Sequence, residues 1–345
     1  MRAIVFDQHG GTGVLQRREV PIPQVRADEV LLRIHAIGVN YNDVWARRGM
    51  PGMDVIMPHI SGSDAAGIVE AIGSEVETVK IGDRVLVNGS FSCRSCAECM
   101  RGNPFHCQSY RIWGFQTGPL QGAQAEYACV PAANVVAAPE NLSWTDAASL
   151  PLVLVTTWRM LTVRARISPG DYVLVWGGAG GLGAMAIQIC RLFGAHPIAV
   201  ANTDEKLDFC RSLGASYLIN RARQRVVREV QKITERRGVD LVFEHVGEAT
   251  WEASINALKW GGSIVVCGAT TGFVAKVDLR YLWNKQQMYI GSHYGTVAEL
   301  SDAMAFVQRG LIKPVVMEVL PLEDVARAHE KLERGEVMGK LVLVP

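Results

Sequence analysis

Residues 172–183 read Tyr-Val-Leu-Val-Trp-Gly-Gly-Ala-Gly-Gly-Leu-Gly. The apolar run 172–176 has the length and composition of a buried strand. Gly178, Gly180 and Gly183 then satisfy Gly-x-Gly-x-x-Gly, and AMAIQICRLFGA opens a helix at once. Strand, glycine turn and helix in that order predict a cradle for a pyrophosphate. The first glycine permits the tight turn, the second lets backbone approach the anion, the third allows close helix-to-strand packing, and the helix N-terminus faces the charge. Gly181 and Leu182 belong to the same expected cradle. The competing reading is a turn that is merely glycine-rich.

Working outward, PIAVAN is followed by helical DEKLDFCRSLGA, YLIN by a charged helix around VVREVQKITERRG, and LVFEHVG by TWEASINALKWG before SIVVCGA. Regular alternation of this kind predicts a Rossmann-type α/β domain, a doubly wound parallel sheet covered on both faces by right-handed crossovers. Gly268 and Ala269, just past SIVVC, are added to the expected cofactor-binding set. The first third differs: AIVF, EVLLRIHAIGV, DAAGIVEAIG and DRVLVNG are short strands separated by Gly and Pro turns. From Trp144, preceded by the cap-like Ser143, a helical run WTDAASLPLVLVTTWRMLTVRA begins. The tail mixes two helices with the strand KLVLVP and is expected to pack back on the first domain. The division predicted is a discontinuous β-rich domain, 1–143 with 296–345, interrupted by a nucleotide domain, 144–295; a chain of 345 residues exceeds one ordinary core.

Thirty-five Lys and Arg against 34 Asp and Glu leave a formal charge of +1. That balance gives no electrostatic footprint for nucleic acid or an anionic membrane, and points to a small-molecule partner. The N-terminus lacks a basic stretch followed by an apolar run, and no segment suits a membrane span, so a cytoplasmic protein is expected. Four of the eight cysteines, Cys93, Cys96, Cys99 and Cys107, fall within fifteen residues as Cys-x2-Cys-x2-Cys-x7-Cys. Four soft thiolates on a short loop close a tetrahedral shell, which predicts one structural zinc ion in a lobe at about 91–109 with no open coordination position. Two disulfides are the alternative. His106 stands beside the last thiolate as a bystander.

Some twenty residues beyond the glycine turn, an NAD enzyme places an acid for the ribose 2′-hydroxyl. Here Ala201 occupies that place, followed by Asn202, Thr203 and Lys206, with Arg221 ending the next strand. A missing carboxylate flanked by amide, hydroxyl and cationic groups suits a 2′-phosphate and therefore NADPH. The alternative is that Lys206 and Arg221 are ordinary solvated charges.

Taken together, these segments resemble the medium-chain dehydrogenase/reductase superfamily along essentially the whole chain: a GroES-like domain, a four-cysteine lobe and a Rossmann domain. The superfamily's zinc alcohol dehydrogenases hold a catalytic zinc through a Cys in GVC, a His in GHE and a Cys or acid before the Rossmann strand. This chain has Asn40 in GVN, Ser63 and Asp64 in GSD, and Thr156 or Thr157 in PLVLVTTW. Amide and hydroxyl are poor zinc ligands, so the expectation is a reaction without catalytic zinc, with Asp64 hydrogen-bonding locally.

RIWGFQ, WGGAGGLG, EKLDFCRSLGA, FEHVG, LRYLWNKQQMYIGSHY and NYNDVWA are similar to the crotonyl-CoA carboxylase/reductase group of enoyl-thioester reductases. That likeness implies that Asn42, Phe115, Gln116 and His293 line a pocket beside the nicotinamide, with Asn40 and Tyr41 as further candidates. Gln116 replaces the group's Glu, which exchanges a proton acceptor for a neutral amide. The resemblance implies hydride delivery to the β-carbon of an α,β-unsaturated thioester or carbonyl, and it favours a reductase over a carboxylase. It also implies a homodimer, or a tetramer of dimers, formed through the edge at LRYLWNKQQMYIGSHYG. The alternatives are a quinone or alkenal oxidoreductase, an alcohol dehydrogenase, or a non-catalytic NADPH-binding protein.

Overall fold

The strand Glu29–Gly38 organises the first half of the chain. Its Val30, Leu32 and Ile34 are buried while Arg33 between them is exposed, the period-two alternation of a sheet with one packed face. It pairs antiparallel with Asp64–Ile72, Tyr127–Pro131 and Lys340–Val344. At its end Gly38 lies opposite both Asp64 and Val342. A side chain on Gly38 would meet the Ala148 carbonyl at 2.4 Å and Asp64 Cβ at 3.0 Å, so only glycine lets these elements converge. Val85, Val87, Leu341 and Leu343, on other strands of the same sheet, belong to its core, each fully buried side chain contributing about 1.5–3 kcal/mol.

The computed structural model describes all 345 residues and divides them into two compact units. The first comprises Met1–Leu152, Thr296–Gln308 and Lys313–Pro345, and the second Val153–Gly295 with Arg309–Ile312. The division falls at Leu152 and not at residue 144, where the periodicity changes. The reason is Trp144: its ring stacks on His35 at 4.5 Å and lies under the Arg84 guanidinium at 3.6 Å, which pins the helix Trp144–Ala148 to the first unit. Ser143 caps that helix by accepting from the Asp146 N–H at 3.0 Å. The single helical run expected from Trp144 is broken by Pro151, which starts the helix Pro151–Trp158; a π-helix, Arg159–Arg164, follows.

In the second unit six strands form one parallel sheet in the order Tyr217–Asn220, His196–Ala201, Tyr172–Val175, Val239–Glu244, Leu258–Val266, Met288–Gly291. Val173, Leu174 and Val175 are fully buried, as expected of a central strand covered on both faces. One boundary differs from the sequence reading: the helix Glu248–Ala257 stops before Leu-Lys-Trp-Gly, and Leu258 already pairs with Val239. Gly261, at φ +70°, sits in the irregular part of that strand. No helix is long and apolar enough to cross a membrane.

Candidate functional site

The glycine turn joins Tyr172–Val175 to the helix Gly181–Leu192. Its division of labour is shifted by one residue from the sequence reading. The left-handed position is Gly177, at φ +56°, whereas Gly178 faces Ala199 and the Cys210 sulfur, each 3.1 Å from where a Cβ would stand. At Gly183 a Cβ would lie 2.3 Å from the Gly177 carbonyl and 2.6 Å from Gly178 Cα, so no side chain fits. Gly180 is different: its Cβ would meet nothing nearer than 3.4 Å, leaving the helix mouth open. Gly180 is the N-cap and contributes no side-chain bond, so the first N–H groups, of Gly181, Leu182 and Gly183, lack helical partners and point at a potential anion. Thr157 donates to the Leu182 carbonyl at 3.4 Å, bracing the helix start.

A polar network that the sequence reading missed holds the neighbouring strand end. Buried Glu244 accepts from the N–H groups of Val246 (2.7 Å) and Gly247 (3.2 Å) and the hydroxyls of Thr250 (2.9 Å) and Ser254 (2.7 Å). Ser254 in turn accepts from the Trp176 indole at 2.8 Å. His245 Nε2 lies 2.9 Å from the Trp176 carbonyl, and its ring packs within 3.0 Å of a Cβ built on Gly177. Two of these partners lie within FEHVG itself and two in the helix Glu248–Ala257 that follows. Gly268 and Ala269 are half-buried just past the strand Leu258–Val266, and Ala269 crowds Gly247 at 2.7 Å from its would-be Cβ.

Ala201 ends its strand buried, with no carboxylate. Thr203 caps the helix Asp204–Ser212 through its hydroxyl, which accepts from the Lys206 N–H at 3.3 Å, and Lys206 Nζ reaches Asn202 Oδ1 at 3.4 Å. The Arg221 side chain is exposed. One acid does stand nearby: Asp204, which accepts from Asn220 at 2.8 Å and pairs with Arg223. Those partners, Arg223 first, hold its pKa below the usual carboxylate range.

In the first unit Asn40, Asp64 and Lys340 form a closed charge cluster. Lys340 Nζ donates to the Val39 carbonyl at 2.8 Å, to Asn40 Oδ1, and to Asp64 Oδ2 at 3.3 Å. Asp64 also accepts from Asn40 Nδ2 (2.8 Å) and the Leu152 N–H (2.8 Å). All three side chains are at most 5 % exposed. Asn40, expected as a pocket group, instead commits its whole amide to this cluster, with Nδ2 also near the Gly38 carbonyl at 3.3 Å. Burial raises the pKa of Asp64 and lowers that of Lys340, and each offsets the other's penalty. Asp43 caps the helix Tyr41–Arg48 by accepting from the Asn40 N–H at 2.8 Å, and burial pushes its carboxyl up to about 7.

Asn42 lies in the first turn of that helix, buried. Its Nδ2 donates to Ser63 Oγ at 2.8 Å, and Ser63 donates to the Trp113 carbonyl at 2.7 Å. A hydroxyl has one proton, so Ser63 accepts from the nitrogen of Asn42 and the amide orientation is determined. Asn42 Oδ1 is left buried without a partner. Phe115 is 3 % exposed, and Gln116 closes the turn after Arg111–Ile112 by accepting from the Ile112 N–H at 3.1 Å. Tyr41 is half-buried, edge-on to Trp45 at 5.4 Å. In the second unit His293 follows the edge strand, and the surrounding protein, helped by Arg159, lowers its pKa, which keeps the ring neutral near pH 7.

The sulfurs of Cys93, Cys96, Cys99 and Cys107 all lie within 4.8 Å of one another, and none of the eight cysteines forms a disulfide. Cys93 Sγ is 3.5 Å from Cys107 Sγ and 4.0 Å from Cys99 Sγ. Bonds of about 2.3 Å to a tetrahedral zinc set sulfurs about 3.8 Å apart, so the cluster fits that ion. Backbone N–H groups of Ser95 and Cys96 draw the Cys93 thiol down to about 6, while burial lifts Cys99 to about 11. Four thiolates this close need a cation between them. His106 is exposed and faces Glu98.

Two family profiles match the chain: "Alcohol dehydrogenase GroES-like domain" over residues 26–140 and "Zinc-binding dehydrogenase" over residues 181–309. A crotonyl-CoA carboxylase/reductase of Cereibacter sphaeroides is 35 % identical over 97 % of this chain and 84 % of its own. A solved NAD-dependent alcohol dehydrogenase superposes with a TM-score of 0.94 at 37 % identity over all of both chains. A crotonyl-CoA carboxylase/reductase solved in complex with NADP superposes with a TM-score of 0.93 at 31 % identity, over 100 % of this chain and 94 % of that one. With this likeness over its whole length, the chain belongs to the medium-chain dehydrogenase/reductase superfamily of oxidoreductases, close to the crotonyl-CoA reductase group.

Proposed function

We propose that the protein reduces α,β-unsaturated thioesters with NADPH and uses no catalytic zinc. The observation that carries this reading is the bonding of Ser63 and Asn42. Where a zinc-dependent relative would present imidazole, the Ser63 hydroxyl donates to Trp113 and accepts from Asn42, and Asn40 is closed off by Lys340 and Asp64. That donor set does not suit a cation. The chemistry the dinucleotide supplies when bound is hydride transfer to the β-carbon. The uncapped helix start at Gly181 would hold its pyrophosphate, and Asn202, Thr203, Lys206 and Arg221 would receive the 2′-phosphate, with no acid at Ala201 to repel it.

Charge then develops on the thioester oxygen and has to meet fixed donors. An amide nitrogen carries two N–H groups; Asn42 gives one to Ser63 and has the other for that oxygen. His293, neutral near pH 7, is our nominee in the second unit for handling the proton. The four thiolates would hold one structural zinc ion. The edge strand Met288–Gly291, beside Trp283 at 70 % exposure and Met288 at 54 %, would make the homodimer contact.

The test follows NADPH oxidation with crotonyl-CoA, acrylyl-CoA, a quinone and an alkenal, each with and without bicarbonate. We expect the two thioesters to be reduced and Asn42→Ala to lower kcat/KM at least ~100-fold, the effect of removing one oxyanion donor. Carboxylated product would make the protein a reductive carboxylase. One finding favours a second reading, oxidation of an alcohol: the alcohol dehydrogenase matched over the full length of both chains. Alcohol turnover together with two metal ions per chain would establish it.

A further inference from the structure

We propose that Lys340 is a positioning residue for Asn42, a buried ammonium that acts as the fixed cation of the first unit and sets where that amide stands; the proposal rests on the assignment of Asn42 to the substrate oxygen. Lys340 is 276 residues from Asp64 in sequence, yet its Nζ holds both arms of the Asn42 support. One arm runs through Asn40. The ammonium binds Asn40 Oδ1 and the Val39 carbonyl, and the Asn40 N–H binds Asp43 Oδ2 at 2.8 Å, which fixes the first turn of the helix Tyr41–Arg48 and so the backbone of Asn42. The other arm runs through Asp64, which adjoins Ser63, the acceptor of the Asn42 N–H.

The physical logic is that of an interior ion pair. Asp64 is fully buried and Lys340 is 4 % exposed, so removing either partner leaves a charge with no counter-ion in low dielectric. Three further residues bond to the pair: Val39, Asn40 and Leu152. It is therefore rigid, and a rigid pair fixes its neighbours. Asn42 Oδ1 has no partner of its own, so nothing on the amide's other side holds the side chain if the Ser63 contact drifts. A group displaced by about 1 Å from its working position loses on the order of 100-fold in rate.

The test is a double-mutant cycle with Lys340→Gln and Asn42→Ala, read by kcat and KM for crotonyl-CoA and by the Kd for NADPH. Lys340→Gln is expected to lower kcat at least ~10-fold with the NADPH Kd changed less than ~2-fold, and in the Asn42→Ala background to cost less than ~2-fold further, because residues acting as one unit are non-additive. Equal losses in both backgrounds would overturn the proposal. In protein labelled with 15N-asparagine, Lys340→Gln should also move the Asn42 side-chain NH2 signals, and unmoved signals would overturn it as well. This readout needs no turnover, so a wild-type protein inactive on every enoyl thioester would sink the functional reading and leave the positioning claim still tested. Should Lys340→Gln fail to fold, the charge-neutral pair Lys340→Gln/Asp64→Asn replaces it. A folded pair with wild-type kcat and unmoved Asn42 signals would refute the claim; a folded pair with lowered kcat and moved signals supports it.

Discussion

Asp43 offers the sharpest quantitative prediction. Its carboxyl is fully buried at the start of the helix Tyr41–Arg48 and titrates at about 7 against 3.8 for a free aspartate. Burial is the larger cause; the Asn40 N–H and Lys340 oppose it, and Asp64 adds to it. Below the unfolded value both states carry the proton and the group is neutral in its effect. As pH rises from about 4 to about 7 the unfolded chain releases the proton while the folded one keeps it, so stability falls. A difference of about 3 pK units corresponds to about 4 kcal/mol, fully lost above pH 7.

Asp43→Asn removes the titration. Its Oδ1 still accepts from the Asn40 N–H, but its NH2 takes the place of Asp43 Oδ1, which has no partner, at a cost of about 1–3 kcal/mol. The variant should therefore be less stable than wild type near pH 5, and the gap should move by about 3 kcal/mol in its favour by pH 8, the remainder of the total having been lost below pH 5. Urea melts at four or five pH values between 4.5 and 8 measure this directly. Parallel stability profiles for the two proteins across that range would show that Asp43 is ionised throughout, and the burial argument would fail.

Gly183→Ala should weaken NADPH binding at least ~10-fold because its methyl would stand 2.3 Å from the Gly177 carbonyl; fluorescence titration checks this, and unchanged affinity would refute the close packing. Ala201→Asp should reverse the cofactor preference, weakening NADPH relative to NADH at least ~10-fold through repulsion of the 2′-phosphate; an unaltered ratio of the two Kd values would contradict the assignment. Elemental analysis should find about one zinc per chain, lost in Cys107→Ser together with a fall in Tm; full metal retention in that variant would show that the four sulfurs are not the ligands.

Much of this was visible in the chain before folding was considered. The pyrophosphate turn is legible because strand, glycines and helix N-terminus all lie within about twenty residues and their backbone constraints are local. The four cysteines are legible for the same reason, since 93–107 is one loop and a metal demands close spacing. Even there, tertiary contacts moved a role: the left-handed residue is Gly177, and Gly178 is constrained by Ala199 and Cys210 on other elements. Lys340 carried no signal at all. A lysine opening a C-terminal strand reads as solvated, and only the register that places Gly38 opposite both Asp64 and Val342 brings its ammonium onto Asn40. An amide in sequence does not say which of its bonds the fold uses: Asn40 bonds Lys340 and Asp64, and the Gln116 carbonyl closes a turn to Ile112.

The order of strands and helices, the dinucleotide turn and the thiolate cluster follow from short-range pattern, because propensity, glycine geometry and ligand spacing act over a few residues. What most of the buried polar groups of the first unit do follows from long-range contact. Which partner meets Asn40, Asn42 or Asp64 depends on strand register and layer packing, and a buried charge takes its character from the counter-charge that the completed fold sets beside it.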